Sequence, residues 1–408
     1  MGGAFFLSAL KGVRPEVSGL SVHPFLVVVP LAGLYLAARR AAPRAAGSTS
    51  RAGLLLLAAV VVTEMISWTD GSAQVLAKWA VAAFTLVLFR VLTRTEVDYH
   101  WGALGVVLGV TAMALRGLAA FDPETQYYVN AMAGVGSRNV FSMWVVGPLS
   151  FCLSWLAKDS GAVRWQRVAA IASLAVLAVT QTMSLNRSGW VVMAMGIALT
   201  VASRRSVGTL VGAFAVLLLT QYFVGEFGSG EAVQYRFGEL RTGTASDEFR
   251  RELAVAGFGL FLESPLIGVG QADLPRQLGW KLHELDPYSS HNLPVELLAG
   301  GGLLLVIAFA SWVKAQVEVH SLARRTGVLD RRATPLLIIL LLAGVRSLTG
   351  NEIVFNPALA ASIGLCLGRI DCALADAGGR PRGGTRLATT GRSITLPFER
   401  SSAPLRVR

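Results

Sequence analysis

The residues best suited to chemistry lie between Phe249 and Leu304, FRRELAVAGFGLFLESPLIGVGQADLPRQLGWKLHELDPYSSHNLPVELLAGGGLL. Arg250 and Arg251 stand near the start of a stretch, Asp247 to Glu263, whose apolar positions Phe249, Leu253, Ala256 and Leu260 recur at helical spacing. Pro265 ends that helix, and Gly268 and Gly270 make the following Pro-Leu-Ile-Gly-Val-Gly a turn. Asp286-Pro287-Tyr288-Ser289-Ser290 then leads into a second helix, capped by Ser290, His291 or Asn292, with Pro294 in its first turn. The unpaired N–H groups of such a start, with the positive end of the helix dipole, favour an anion. Guanidinium groups stay charged and grip oxyanions bidentately, and an imidazole exchanges a proton near neutral pH. The chemistry within reach is recognition of an anionic ligand beside a proton acceptor.

The elements that must position these residues cross a membrane. Of the 408 residues, 53% are hydrophobic and only 15% charged, and the mean hydropathy is +0.55. Such a chain is not a soluble domain, and apolar runs of spanning length recur from end to end. The expected fold is all-α, with about 11 transmembrane helices and one long extracytoplasmic loop containing short helices. Spans are predicted near 22–38, 52–68, 73–92, 101–120, 139–157, 165–185, 188–203, 206–224, 292–313, 334–350 and 354–370. Residues 1–21 read as an interfacial helix or the stub of a first span. The chain divides into N-terminal transmembrane helices (1–224), the extracytoplasmic loop with the chemical elements (225–291), C-terminal transmembrane helices (292–370) and a disordered, basic cytoplasmic tail (371–408).

Loop charge orients these spans. If the loop carrying Arg39, Arg40, Arg44 and Arg51 is cytoplasmic, every second loop is basic, and the inside holds 24 of the 37 basic residues against 8 of the 25 acidic ones. The formal charge of +12 therefore reflects membrane orientation and lipid headgroups, and no nucleic-acid partner is implied. The interval from Gly225 to Ser290 then lies outside, as does the turn with Asn186 and Arg187. Glu64, Lys78, Arg116, Arg187, Arg346 and Glu352 all fall at the outer ends of their helices. Either each reaches the headgroups, or together they line a polar chamber open to the outer leaflet. Cys152, Cys366 and Cys372 have neither disulfide nor zinc spacing and read as small core residues.

The ordered set Arg250, Pro265–Gly270, His291-Asn292, Leu297-Leu298-Ala299 and Gly302-Leu303-Leu304 resembles the O-antigen ligase and polymerase superfamily. Ser184–Trp190 (SLNRSGW) is similar to that family's Ser-Arg-Gly segment at an outer helix start, and Gly136-Ser137-Arg138-Asn139 to its asparagine-containing one. The chain departs from the pattern at Gly300, where the family usually has a glutamate, and Glu296 on the face of Asn292 is the substitute.

The resemblance implies a glycosyltransferase of the inner (cytoplasmic) membrane, multi-pass, with an extracytoplasmic active site. Its donor is a polyprenyl-diphosphate-linked glycan, its acceptor a glycan or lipid, and it uses no cofactor and no metal. Arg187 and Arg250 then hold the diphosphate, and Arg251 assists them or faces solvent. His291 is the general base for the acceptor hydroxyl or a further diphosphate ligand. Asn292 orients His291 or caps the helix, and Glu296 and Arg346 support the site. Arg187, Arg250 and His291 should share one cavity. Two other readings remain at this point. Asp122-Pro123-Glu124 or Glu284-Leu285-Asp286 would bind a divalent cation in a metal-dependent transferase. A transporter or flippase would line a substrate path with the same outer charges; it would also need a polar route to the cytoplasmic side.

Overall fold

The computed structural model describes residues 16–17, 20–21, 48–119, 138–157, 162–184, 186–204, 245–284, 286–327, 335–350 and 355–378. The spans predicted at 22–38 and 206–224, the acidic pair at Asp122 and Glu124, Glu352 and the tail from 379 onward lie outside these residues. In chain order the elements are strands β1 (Glu16–Val17) and β2 (Leu20–Ser21), then helices α1 (Ser48–Ile66), α2 (Ser72–Leu92), α3 (Glu96–Ala119), α4 (Arg138–Trp144), α5 (Val146–Leu156), α6 (Arg164–Met183) and α7 (Arg187–Arg204). They continue with α8 (Ala245–Glu263), α9 (Leu274–Lys281), α10 (Leu293–Arg325), α11 (Leu336–Ser347) and α12 (Pro357–Gly378).

The fold is helical, as an apolar chain in lipid requires, because a helix satisfies its own backbone groups. Five described helices are long and apolar enough to cross a membrane: α2, α3, α6, α10 and α12. Shorter apolar stretches cover Phe141–Leu156, Arg187–Leu199 and Leu336–Ser347. The departure from an all-helical chain is the antiparallel pair β1 and β2, with Val17 opposite Leu20, where an interfacial helix or span stub was expected.

Three element boundaries differ from expectation for physical reasons. The span predicted at 139–157 is two helices, α4 and α5, separated at Val145; Pro148 has no N–H for the carbonyl of Trp144. Helix α10 runs to Arg325, well beyond 313, because Ala315, Gln316, His320 and Ala323 continue a buried stripe after hydropathy falls. Helix α12 continues through Gly378, so the tail predicted to start at 371 begins as helix.

Helices α2 and α12 pack side by side and parallel. Trp79 meets Phe355 edge-on at one end, with ring centroids 5.2 Å apart. At the other end Arg90 Nε donates to Asp371 at 2.6 Å. Between them Gly364 and Gly368 let the backbones touch: an added Cβ would stand 2.4 Å from the carbonyl oxygens of Leu86 and Arg90 respectively. Helix α1 lies along α10, with Gly53 facing Trp312, and just past the end of α1 Ser67 faces Gly270 in the turn that follows α8. Outside this bundle, α8 and α9 form a smaller core of Leu253, Leu260, Leu274 and Leu278 with Ala299.

Candidate functional site

Helix α10 is broken near its start, and the break creates the site's frame. One α-helical turn, Leu293–Val295, passes into a π-helical turn, Glu296–Gly300, and Gly302 then adopts φ 61°, ψ −165°, a region open in practice only to glycine. A break of this kind strands backbone donors and acceptors that an apolar surrounding cannot satisfy. The Pro265–Gly270 turn supplies them. Val269 and Gly270 donate to the carbonyls of Ala299 and Gly300 at 2.8 and 2.9 Å, and Leu303 and Leu304 donate to those of Pro265 and Leu266 at 2.8 and 3.1 Å. Contact is backbone to backbone, so a Cβ on Gly268 would lie 2.5 Å from the Gly300 carbonyl carbon, and one on Gly302 2.5 Å from the Ile267 nitrogen. The two sequence signatures are thus one interlocked unit.

A buried polar knot anchors that unit to the bundle. Glu64, fully buried near the end of α1, accepts from the backbone N–H of Gln271 at 2.7 Å, and the Trp79 indole N–H donates to the Gln271 side-chain oxygen, also at 2.7 Å. Glu64 is therefore not a headgroup anchor. Lys78 is exposed over the ring of Phe355, 5.8 Å from its centroid, and fits the headgroup reading.

The cationic part of the site is assembled from three helices. Asn186 starts α7: its side-chain oxygen accepts from the Ser188 and Gly189 N–H groups at 3.1 and 3.3 Å and from the Ser188 hydroxyl at 2.7 Å. That cap sets Arg187 at the first helical position. Arg187 Nη2 donates to both oxygens of Asp247, at 2.8 and 3.0 Å. Arg250, one turn along α8, pairs with Oδ1 of the same carboxylate at 3.5 Å. Arg187 and Arg250 thus meet on one acid. Arg251 is exposed.

Arg346 sits behind them. Fully buried near the end of α11, it donates through Nε to the Ser142 hydroxyl at 2.7 Å and through Nη1 to Thr349 at 2.8 Å. Asn186 Nδ2 reaches the same Ser142 oxygen at 3.3 Å. A continuous polar path therefore runs from Arg346 through Ser142 and Asn186 to the start of α7 and Arg187.

His291 lies in the segment that borders α8. Tyr288 packs edge-on against Phe249, centroids 5.1 Å apart, and Val295 fills the surface left by Gly257. His291 itself is exposed and held at φ 49°, an uncommon backbone for a residue with a Cβ. Its neighbours fix it: Asn292 is the helix cap, its Oδ1 accepting from the Val295 N–H at 3.3 Å, and Ser290 donates to Glu296 Oε2 at 2.8 Å. Glu296 is buried and its side chain holds Ser290. Glu284 and Asp286 are both exposed, and among the described residues no group of three or more His, Cys, Asp or Glu is placed to hold a metal ion.

The roles of Asp247 and Ser142 were missed by sequence reasoning. Asp247 stands three residues before Arg250, a spacing at which a helix pairs acid with base; nothing local marks Ser142. A cavity of about 820 Å³ opens between α1, α2, α10, α11 and α12, apolar along Leu57, Leu86 and Phe309. It begins at Leu293, next to the Asn292 cap, and Arg187, Arg250 and His291 are not among its walls.

Helices of spanning length, a broken helix locked to a glycine turn, and two arginines gathered from distant segments define a multi-pass membrane protein with a cationic site. The family model Wzy_C, described as O-Antigen ligase, matches residues 128–310. Over that segment the chain is similar to the O-antigen ligase and polymerase superfamily. The matched segment contains Arg187, Asp247, Arg250, His291 and Glu296, and stops short of Arg346. No curated protein matches the chain.

Proposed function

We propose that this protein transfers or polymerises polyprenyl-diphosphate-linked glycan units on the outer face of the cytoplasmic membrane, with inversion at the sugar and without a metal. The observation that carries the reading is the convergence of Arg187 and Arg250 on one carboxylate, inside the segment matching the O-antigen ligase family. Two fixed cations suit a leaving diphosphate because they are already oriented when charge develops on it.

In the reaction, an acceptor hydroxyl attacks the anomeric carbon from the face opposite the diphosphate. The new C–O bond forms as the bond to the phosphate oxygen breaks, and the electron pair leaves with the polyprenyl diphosphate. His291 accepts the hydroxyl proton. Arg187 and Arg250 stabilise the departing oxygens. Arg251 contributes positive field from the exposed side, Asn292 and the Glu296–Ser290 pair hold His291, and Arg346 holds Arg187 through Ser142 and Asn186. The apolar cavity that starts at Leu293 offers room for an isoprenoid chain.

Separate Arg187→Ala, Arg250→Ala and His291→Ala variants of the full chain, assayed with a lipid-linked glycan donor in proteoliposomes and by surface polysaccharide in cells, test the proposal. Each should lose most of its transfer. Full activity in all three would sink it.

A further inference from the structure

We infer that Asp247 is an exchangeable counter-ion: it occupies the phosphate position between Arg187 and Arg250, yields it to the incoming diphosphate, and returns to expel the product. The inference rests on the diphosphate reading above and adds a residue and a step to it.

Three observations carry it. First, the carboxylate uses both oxygens on Arg187 and shares one with Arg250. A phosphate presents its oxygens to the same guanidinium donors. A ligand that needs both arginines must take the volume the carboxylate fills. Second, the acid can leave. Its side chain is 37% exposed and it lies in the first turn of α8, whereas Arg187 is only 17% exposed. A partly solvated ion pair contributes little net stability, so opening it is cheap. Third, the backbones that carry the arginines are placed without Asp247. That of Arg187 is set by the Asn186 cap and the Ser142 contact behind it, and that of Arg250 by helix α8, whose Phe249 packs on Tyr288.

The chemistry gives the exchange a purpose. In the donor each phosphate carries one ester and the shared anhydride bond, and so one ionisable oxygen; after transfer the terminal phosphate keeps only the anhydride and gains a second ionisable oxygen, whose pKa is about 6. The product is therefore more anionic than the substrate, and two unopposed guanidiniums would hold it more tightly than the donor. A tethered carboxylate beside them competes for the same donors at high local concentration, and speeds departure.

The test uses the detergent-solubilised full chain and inorganic pyrophosphate as probe, with binding followed by calorimetry at fixed ionic strength. Asp247→Asn keeps the shape and removes the competing charge; it should bind pyrophosphate about three- to tenfold more tightly than the unmodified protein. Turnover by this variant should slow and become sensitive to added polyprenyl diphosphate at lower concentrations. Asp247→Ser, which retains a residue suited to a helix start, is the second variant if Asp247→Asn fails to fold. Unchanged or weaker binding in the folded variant overturns the counter-ion role and makes Asp247 a positioning residue for the arginines. The Arg187→Ala/Arg250→Ala double variant separates the two readings. If it binds pyrophosphate as the unmodified protein does, or if no form shows saturable binding, the diphosphate site itself fails.

Discussion

Replacing Gly302 by alanine probes the interlock that frames the site. Its φ of 61° with ψ −165° falls in a region costing a residue with a Cβ on the order of 1–3 kcal/mol. The new methyl would also stand 2.5 Å from the Ile267 nitrogen and the Leu266 carbonyl carbon and 2.6 Å from its oxygen, all of them backbone. Relief requires the turn to withdraw, which breaks the bonds from Leu303 and Leu304 to Pro265 and Leu266, at about 1 kcal/mol each. Together these amount to roughly 3–5 kcal/mol, a large part of a stability of about 5–15 kcal/mol. The expected result is a marked fall in the unfolding midpoint of the purified protein, with loss of transfer even in the fraction that stays folded. Gly259→Ala is the matched control. It lies within helix α8 with no atom within 4 Å of an added Cβ, and should be neutral or stabilising by up to about 1 kcal/mol. A Gly302→Ala protein with unchanged midpoint and activity would refute the reasoning.

Three further outcomes follow from named contacts. Trp79→Phe removes the indole donor to Gln271, leaving a buried amide oxygen unpaired; stability should fall by about 1–3 kcal/mol in chemical unfolding while the ring contact with Phe355 persists. Arg346→Lys keeps the charge but offers one nitrogen where two groups, Ser142 and Thr349, are served; transfer should drop although Arg187 is untouched, and an unaltered rate would disprove the positioning path. His291→Gly and His291→Ala should both lose activity, yet the glycine variant should unfold later, by up to about 1 kcal/mol, because the position has φ 49°.

Much of the helical frame was legible because it depends on local composition. The runs bounded by Ser72 and Leu92, or by Arg164 and Met183, are apolar between polar ends, and their boundaries fell within one or two residues of expectation. Where the structure differs, a tertiary partner or a single missing N–H decides. The π turn and the break at Gly302 depend on a turn some thirty residues earlier in the chain, and the split at Val145 on Pro148. The site was legible as residue types. Arg187, Arg250 and His291 stand out by type and by their neighbours in the chain, and Asn292 proved to be the cap. Their grouping was not, because Asp247 acquires its meaning only when the start of α7 is brought to it, and Ser142 only when Arg346 is. Hydropathy also lost the last turns of α10, where buried residues carry polar side chains such as Gln316 and His320.

The joint between the Pro265–Gly270 turn and the opened helix is written in peptide groups, with side chains excluded from its closest approaches. Such a joint demands smallness and a backbone shape at Gly268 and Gly302 and is indifferent to what the neighbouring side chains recognise. Sugar and acceptor choice can therefore be rewritten on the surfaces around it without touching the joint. The glycine signature is a mark of the scaffold, and two proteins that share it need share no substrate.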